Sequence, residues 1–360
     1  MVIMINATNK SLPNYLFDIA DNIQIKPNFC VKHRDYKSFG LPSTVAERFG
    51  QTSETIQNKY LTLLLRNLLY GIYYNGSLPN LLAMEAITDS YPLHNNLENN
   101  SFYQIDWQFY EKLHENNRGH GYFDENWQVV RREPDGSLAV TKDCLTLHIE
   151  YEHESVPPTE FAQVDEPIAI WMPKNRMQNG FYIALSNMSS GNNNSEAGKI
   201  YFNITADGAI ALMDSLSSEL NQAQIPFTFG VLYNKAAYER FDSGILNFER
   251  HDYPVVRKIL QKIYQQHQSH FAPEIPLFTK YLAPGLGLAE EPEQKFVAQE
   301  SFGMNRCQII ANALLEAWYE NIDSPSIRVN LIREHFERMG IDLQYPYLNP
   351  DSTDTYEALN

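Results

Sequence analysis

The chain has 360 residues, 43% hydrophobic and 20% charged, which is enough apolar content for a large core and excludes intrinsic disorder. Twenty-eight Lys and Arg against 44 Asp and Glu give a formal net charge of −16, a field that repels nucleic acid and anionic membranes. An anionic ligand therefore has to be caught by a local cluster of cations.

No apolar run approaches the roughly 20 residues of a membrane-spanning helix. The opening MVIMINATNK lacks the cationic start and long apolar centre of an export signal. Cys30, Cys144 and Cys307 are widely spaced and odd in number, which suits neither a disulfide framework nor a zinc ribbon. A cytoplasmic protein with no membrane or nucleic-acid partner is expected.

In chain order, LPNYLFDIADNI, SETIQNKYLTLLLRNLLYGIYYNG and IDWQFYEKLHENN carry apolar residues at helical spacing and predict a helical region over 1–115. From Gly121 the period changes. WQVVRRE, SLAVTKD, CLTLHIEYE and IAIWMP are short alternating or β-branched stretches between Pro-Asp-Gly and Pro-Pro turn signals, as in an antiparallel sheet. GFYIALSN and KIYFNIT read as strands around the loop SSGNNNSEAG, IPFTFGVLYN and SGILNFER as two more. DGAIALMDSLSSELNQ, YPVVRKILQKIYQQHQSHF and SFGMNRCQIIANALLEAWYE read as helices. The expected fold class is α+β, a helical N-terminal region followed by a mixed, largely antiparallel sheet flanked by helices. The α+β domain spans 116–348, and the polar 349–360 is expected to fray.

Short motifs for phosphate or metal chemistry fail on inspection. His33-Arg34-Asp35 lacks the Asn of a kinase catalytic loop, Gly40 standing in its place. Gly285-x-Gly287 has neither a third glycine nor a P-loop lysine. His267-x-x-His270, and His148 with His153, have no third ligand at convincing spacing, so neither a metal nor another cofactor is expected.

What stands out is a set of cations in otherwise apolar or aromatic stretches: Lys142, Lys174, Arg176, Lys235, Arg240, Lys280 and Arg306. A buried cation is expensive unless it meets an anion. The plain alternative is a carboxylate close by for each, Asp242 for Arg240 being the clearest. Arg306 is placed in the first turn of a helix after Ser301, where free N–H groups would also attract an anion.

IYFNITADGAIALMDSLSSELN, IPFTFGVLYNKAAYERFDSGILNF and above all PLFTKYLAPGLGLAEEPEQKFVAQESFGMNRCQIIANALLEAW resemble the HopA-type effector family in its cyanobacterial form. The resemblance runs from about Asn116 to Asn321 and takes in KDCLTLHIE and MPKNRMQNGFYIALSN. It implies one of two roles. Some members are plant-pathogen effectors acting on host immunity complexes. Others are lyase subunits of lanthipeptide-like pathways, in which a separate Ser/Thr peptide kinase phosphorylates a precursor peptide and the HopA-like protein eliminates the phosphate.

Elimination requires a base for the Cα proton and cations for the leaving phosphate, with no cofactor. Under the lyase expectation Lys142 is the base and His148 the acid, although the Lys of the pathogen lyases' Lys-x-His element is missing from Thr146-Leu147-His148. Arg240 and Arg306, helped by Lys174 and Lys280, hold phosphate, and Asn175 holds peptide backbone, as Asn179 and Asn305 could. The competing expectation is a non-catalytic HopA-like protein that binds a partner protein or peptide through a strand edge or its apolar helices.

Overall fold

The computed structural model describes residues 11–82, 105–149, 162–188 and 197–359. The opening decapeptide, the Pro-Pro turn, His153 and most of the Asn-rich loop lie outside them. Helix α1 (Leu12–Asn22) starts with a proline in its first turn and buries Leu16, Ile19 and Ala20. A three-stranded antiparallel meander follows, β1 (Ile23–Lys26), β2 (Cys30–His33) and β3 (Tyr36–Gly40), within the stretch expected to be helical. Then come α2 (Ser43–Phe49) and the largely apolar α3 (Glu54–Leu69), which runs into a π-helical turn at Tyr70–Tyr74. Short α4 (Pro79–Leu82) and α5 (Trp107–Asn116) complete the region; Asp106 caps α5 by accepting from the Phe109 N–H at 3.1 Å.

Strands β4 (Tyr122–Arg132), β5 (Leu138–Lys142), β6 (Leu145–Ile149) and β7 (Pro167–Met172) form a four-stranded antiparallel sheet in the order β6-β5-β4-β7. It has its own core of Trp127, Val129, Leu138, Val140, Ile168 and Ile170. Its first and last residues pair, Tyr122 with Met172.

The main sheet has seven strands: β8 (Asn175–Gln178), β9 (Phe181–Leu185), β10 (Ala197–Phe202), β11 (Phe227–Leu232), β12 (Gly244–Glu249), β13 (Lys280–Ala283) and β14 (Leu286–Glu290). Their order is β13-β14-β10-β12-β11-β9-β8 and every pairing is antiparallel. The β8–β9 hairpin turns on Asn179-Gly180, both at positive φ (52° and 86°), the pair that matches strand twist in a two-residue loop.

Helices α6 (Ala206–Gln222), α7 (Tyr253–His267), α8 (Phe302–Tyr319) and α9 (Pro325–Arg338) pack around this sheet. Consecutive residues of β10 point to opposite faces: Tyr201 meets Tyr74 and Phe302, whereas Phe202 meets Phe229 and Phe271. The π-turn approaches α8 so closely that a Cβ on Gly303 would lie 2.4 Å from the Tyr74 ring, so only glycine fits there. The α+β architecture is as expected from the sequence.

The last residues do not fray. Tyr356 is buried, its hydroxyl donates to Glu290 Oε1 at 2.9 Å, and the Leu359 N–H donates to the Leu282 carbonyl at 2.9 Å. The segment 346–359 is a strap along the β13–β14 edge of the sheet.

Candidate functional site

The residues expected to work together fall into three places. Lys142, on β5, donates to Asp124 Oδ1 and to the Glu125 carbonyl, each at 2.8 Å. That carboxylate also accepts from the Trp127 indole at 2.7 Å. The lysine thus faces a carboxylate and a carbonyl, not the cluster of cations expected around it. His148, on β6, is exposed, with Nδ1 3.6 Å from Glu133 Oε1. Both belong to the small sheet.

Asn175 opens β8 at one edge of the main sheet, and Lys174 immediately precedes it. The Lys174 ammonium donates to the carbonyls of His114 (2.9 Å) and Asn117 (3.0 Å), so it caps the negative end of α5. Asn175 donates to the Tyr110 hydroxyl at 3.1 Å. Burial, and then the nearby Lys174 charge, hold His114 below its ordinary pKa; burial and then Arg118 lower Lys174. His114 Nδ1 lies 3.2 Å from the Tyr182 hydroxyl, and the Asn117 amide also donates to that hydroxyl. This edge is sealed by neutral aromatic and amide groups around one ammonium.

Lys280 opens β13 at the opposite edge. Six strand spacings of about 4.8 Å put it on the order of 29 Å from β8 across the sheet. Its ammonium pairs with Asp354 of the strap and lies 5.1 Å over the Tyr347 ring. Burial alone would raise the Asp354 carboxyl, but hydrogen bonds from Lys280 and Tyr347 outweigh it and hold the pKa below its ordinary value.

Arg240 and Arg306 come nearest to the expected convergence. Arg240 makes a two-pronged pair with Asp242, as its neighbour in sequence suggested, and the Tyr70 hydroxyl donates to the same carboxylate at 3.0 Å. Tyr70 stacks on Tyr74 at 4.9 Å, and Tyr74 packs near Phe302, over whose ring Arg306 lies at 4.8 Å. The two arginines thus flank one tyrosine, but at 5% and 1% exposure they face core rather than a cleft.

Arg306 sits in the second turn of α8, not the first, because Ser301 is the cap. Its guanidinium donates to the carbonyls of Pro346 (2.9 Å) and Leu348 (3.0 Å) and to Asn305 Oδ1 (2.6 Å). Burial pushes it down to about 10, so it stays charged at neutral pH. Its partners are the strap's own backbone. Asn305 is turned to the Gln294 carbonyl and Glu300, and Asn179 is the hairpin turn.

Among the described residues, one group could offer three metal ligands: Glu249, His251 and Asp252, with ligand atoms within 4.8 Å of one another. His251 is exposed at the end of β12, with Nδ1 3.5 Å from Glu249 Oε2 and Nε2 3.5 Å from Asp252 Oδ1. No helix among the described residues is long and apolar enough to cross a membrane.

A feature the sequence reading missed is a groove of about 680 Å³ between the first turn of α1, the loop leading into β13, and residues 343–347. The available signal was the density of Pro, Tyr and Phe in PEIPLFTKYLAP and YPYLNP.

Residues 172–348 match the model of the HopA1 effector protein family, so this segment is similar to that family. The matched segment begins at the last residue of the small sheet and takes in the whole seven-stranded sheet. Two solved structures are similar to the chain, both effector proteins of Pseudomonas syringae. That of pathovar tomato strain DC3000 is 20% identical and that of pathovar syringae strain 61 is 16% identical. Each match has a TM-score of 0.37 and covers 47% of this chain and 62% of the effector chain. No curated protein matches.

The family match corrects the enzymatic expectation. It is to an effector family, not to a phosphoserine/phosphothreonine lyase of lanthipeptide biosynthesis, and it carries nothing specific to cyanobacteria. Lys142 and His148 lie outside the matched segment, and no catalytic site emerges among the described residues.

Proposed function

We propose that this chain is a non-catalytic HopA-type protein that acts by gripping a partner protein or peptide. The observation that carries this is the dispersal of its cations: Lys174 and Lys280 close opposite sheet edges, while Arg240 and Arg306 are spent inside the core. Groups committed to holding the fold together leave little for a reacting phosphate, whereas the surface keeps exposed aromatic side chains on rigid elements, among them Trp107, Trp171 and Tyr281. Such anchors give binding energy at low entropic cost.

The test is selection from a displayed random-peptide library on the immobilised full chain, followed by calorimetry and mass spectrometry of the selected peptide. The expected result is saturable binding at one peptide per chain, with the peptide recovered at unchanged mass. A library that yields no binder, or a recovered peptide of altered mass, overturns the proposal.

A further inference from the structure

The groove beside β13 has the chemistry of a particular kind of ligand. Four tyrosines and four prolines line it, including Tyr15, Tyr281, Pro276 and Pro346. Tyr281 is 54% exposed although it stands on a strand, so a flat aromatic face is held in water by rigid backbone. A second hollow of about 610 Å³ adjoins the groove across Leu12, Leu343 and Gln344 and runs beside α9.

Charge along this trough is one-sided. Lys280 is neutralised by Asp354, which leaves Glu274, Glu337 and Asp342 against Arg333 alone, within a chain of net charge −16. A basic partner is favoured locally as well as globally.

The walls also select for backbone type. An ordinary extended peptide laid against tyrosine and proline rings would bury N–H groups that meet few acceptors, at a cost for each. Proline carries no N–H, and its fixed φ already suits a polyproline II helix, so little order has to be imposed on binding. Its carbonyls still need donors, and the Tyr281 hydroxyl and Gln344 amide stand on the groove to supply them.

We propose that this groove binds a cationic, proline-rich segment of a partner protein in the polyproline II conformation, with proline rings against Tyr15 and Tyr281 and basic residues toward Glu274 and Asp342. The proposal rests on the partner-binding function above and names its partner class.

The experiment is fluorescence anisotropy on the full chain with a labelled synthetic peptide in which a run of prolines is flanked by arginines. Binding should saturate, weaken roughly tenfold or more in Tyr281→Ala, and weaken several-fold in Glu274→Gln. It should be lost when glycines replace the prolines and the arginines stay. Tyr281 is exposed, so a near-ultraviolet circular dichroism spectrum matching the parent chain confirms that the variant folds.

Equal binding of the glycine peptide, or unchanged binding by Tyr281→Ala, overturns the proposal. So does a dimer in sedimentation that Tyr281→Ala abolishes, because the groove would then hold a second copy of the chain. If library selection returns proline-free binders indifferent to Tyr281→Ala, this inference fails while the binding function stands. If selection returns nothing, the binding function itself fails.

Discussion

At each edge of the seven-stranded sheet a lysine from a strand end reaches another segment of chain, and the two edges use different chemistry. Along β8, Lys174 meets the carbonyl end of α5 among Tyr110, His114, Asn117 and Tyr182, with no carboxylate among its hydrogen-bond partners. Along β13, Lys280 meets Asp354, while deeper in the same strap Arg306 and Glu290 hold backbone and side chains. One edge is compensated by dipoles, the other by full charges. The same residue type, read in sequence as a phosphate ligand in both places, thus serves as a helix cap at one and an ion-pair partner at the other.

Removing the deepest charge gives the largest expected contrast. Arg306→Ala strands two strap carbonyls and Asn305 Oδ1 in the core, and should cost about 3–5 kcal/mol in urea unfolding. Hydrogen exchange should rise in the strap and leave β8 and β9 protected. Equal loss of protection at both edges would erase the distinction.

Lys280→Ala, at a half-buried pair, should cost about 1–2 kcal/mol by the same measurement. Lys174→Ala should cost about 0.3–1 kcal/mol, the range for a cation at a helix C-terminus. A reversal of that order would mean that the α5 edge carries more charge energy than its partners suggest.

Acid sharpens the comparison further, with smaller effects. His114 has a folded pKa below its unfolded one, so its contribution is full above an ordinary histidine pKa of about 6.5 and is lost as pH falls through the lowered folded value. Asp354 is also lowered, so its contribution is full above about 3.9 and fades only at more acid pH. Exchange measured along a descending pH series should therefore loosen β8–β9 before the strap. His114→Asn should remove the earlier step.

Much of the main fold is legible from side-chain alternation: β12 repeats buried and half-buried positions over GILNFE, and α6 carries its apolar stripe from Ala209 to Leu220. The first meander escapes because IQIK, CVKH and YKSFG are short and half polar, and lie between strong helices. The strap escapes for another reason. NPDSTDTYEALN is polar by composition, yet its few anchors, Asn349, Asp354 and Tyr356, each meet a partner that is distant in sequence. Of the candidate site, the Arg240–Asp242 pair was readable because its partner is two residues away. The targets of Arg306 are backbone carbonyls 40 and 42 residues on, which no local pattern announces.

The small four-stranded sheet enters at Tyr122 and leaves at Met172, and these two residues are paired neighbours about 5 Å apart. Its ends meet and its apolar cluster is its own, so the sheet is an excursion between α5 and β8 that closes on itself. A short turn joining residues 121 and 173 could replace it with little strain on either flank. A chain shortened in this way would lose Lys142, His148 and the exposed Trp171, and is expected to keep the seven-stranded sheet, the strap and the groove.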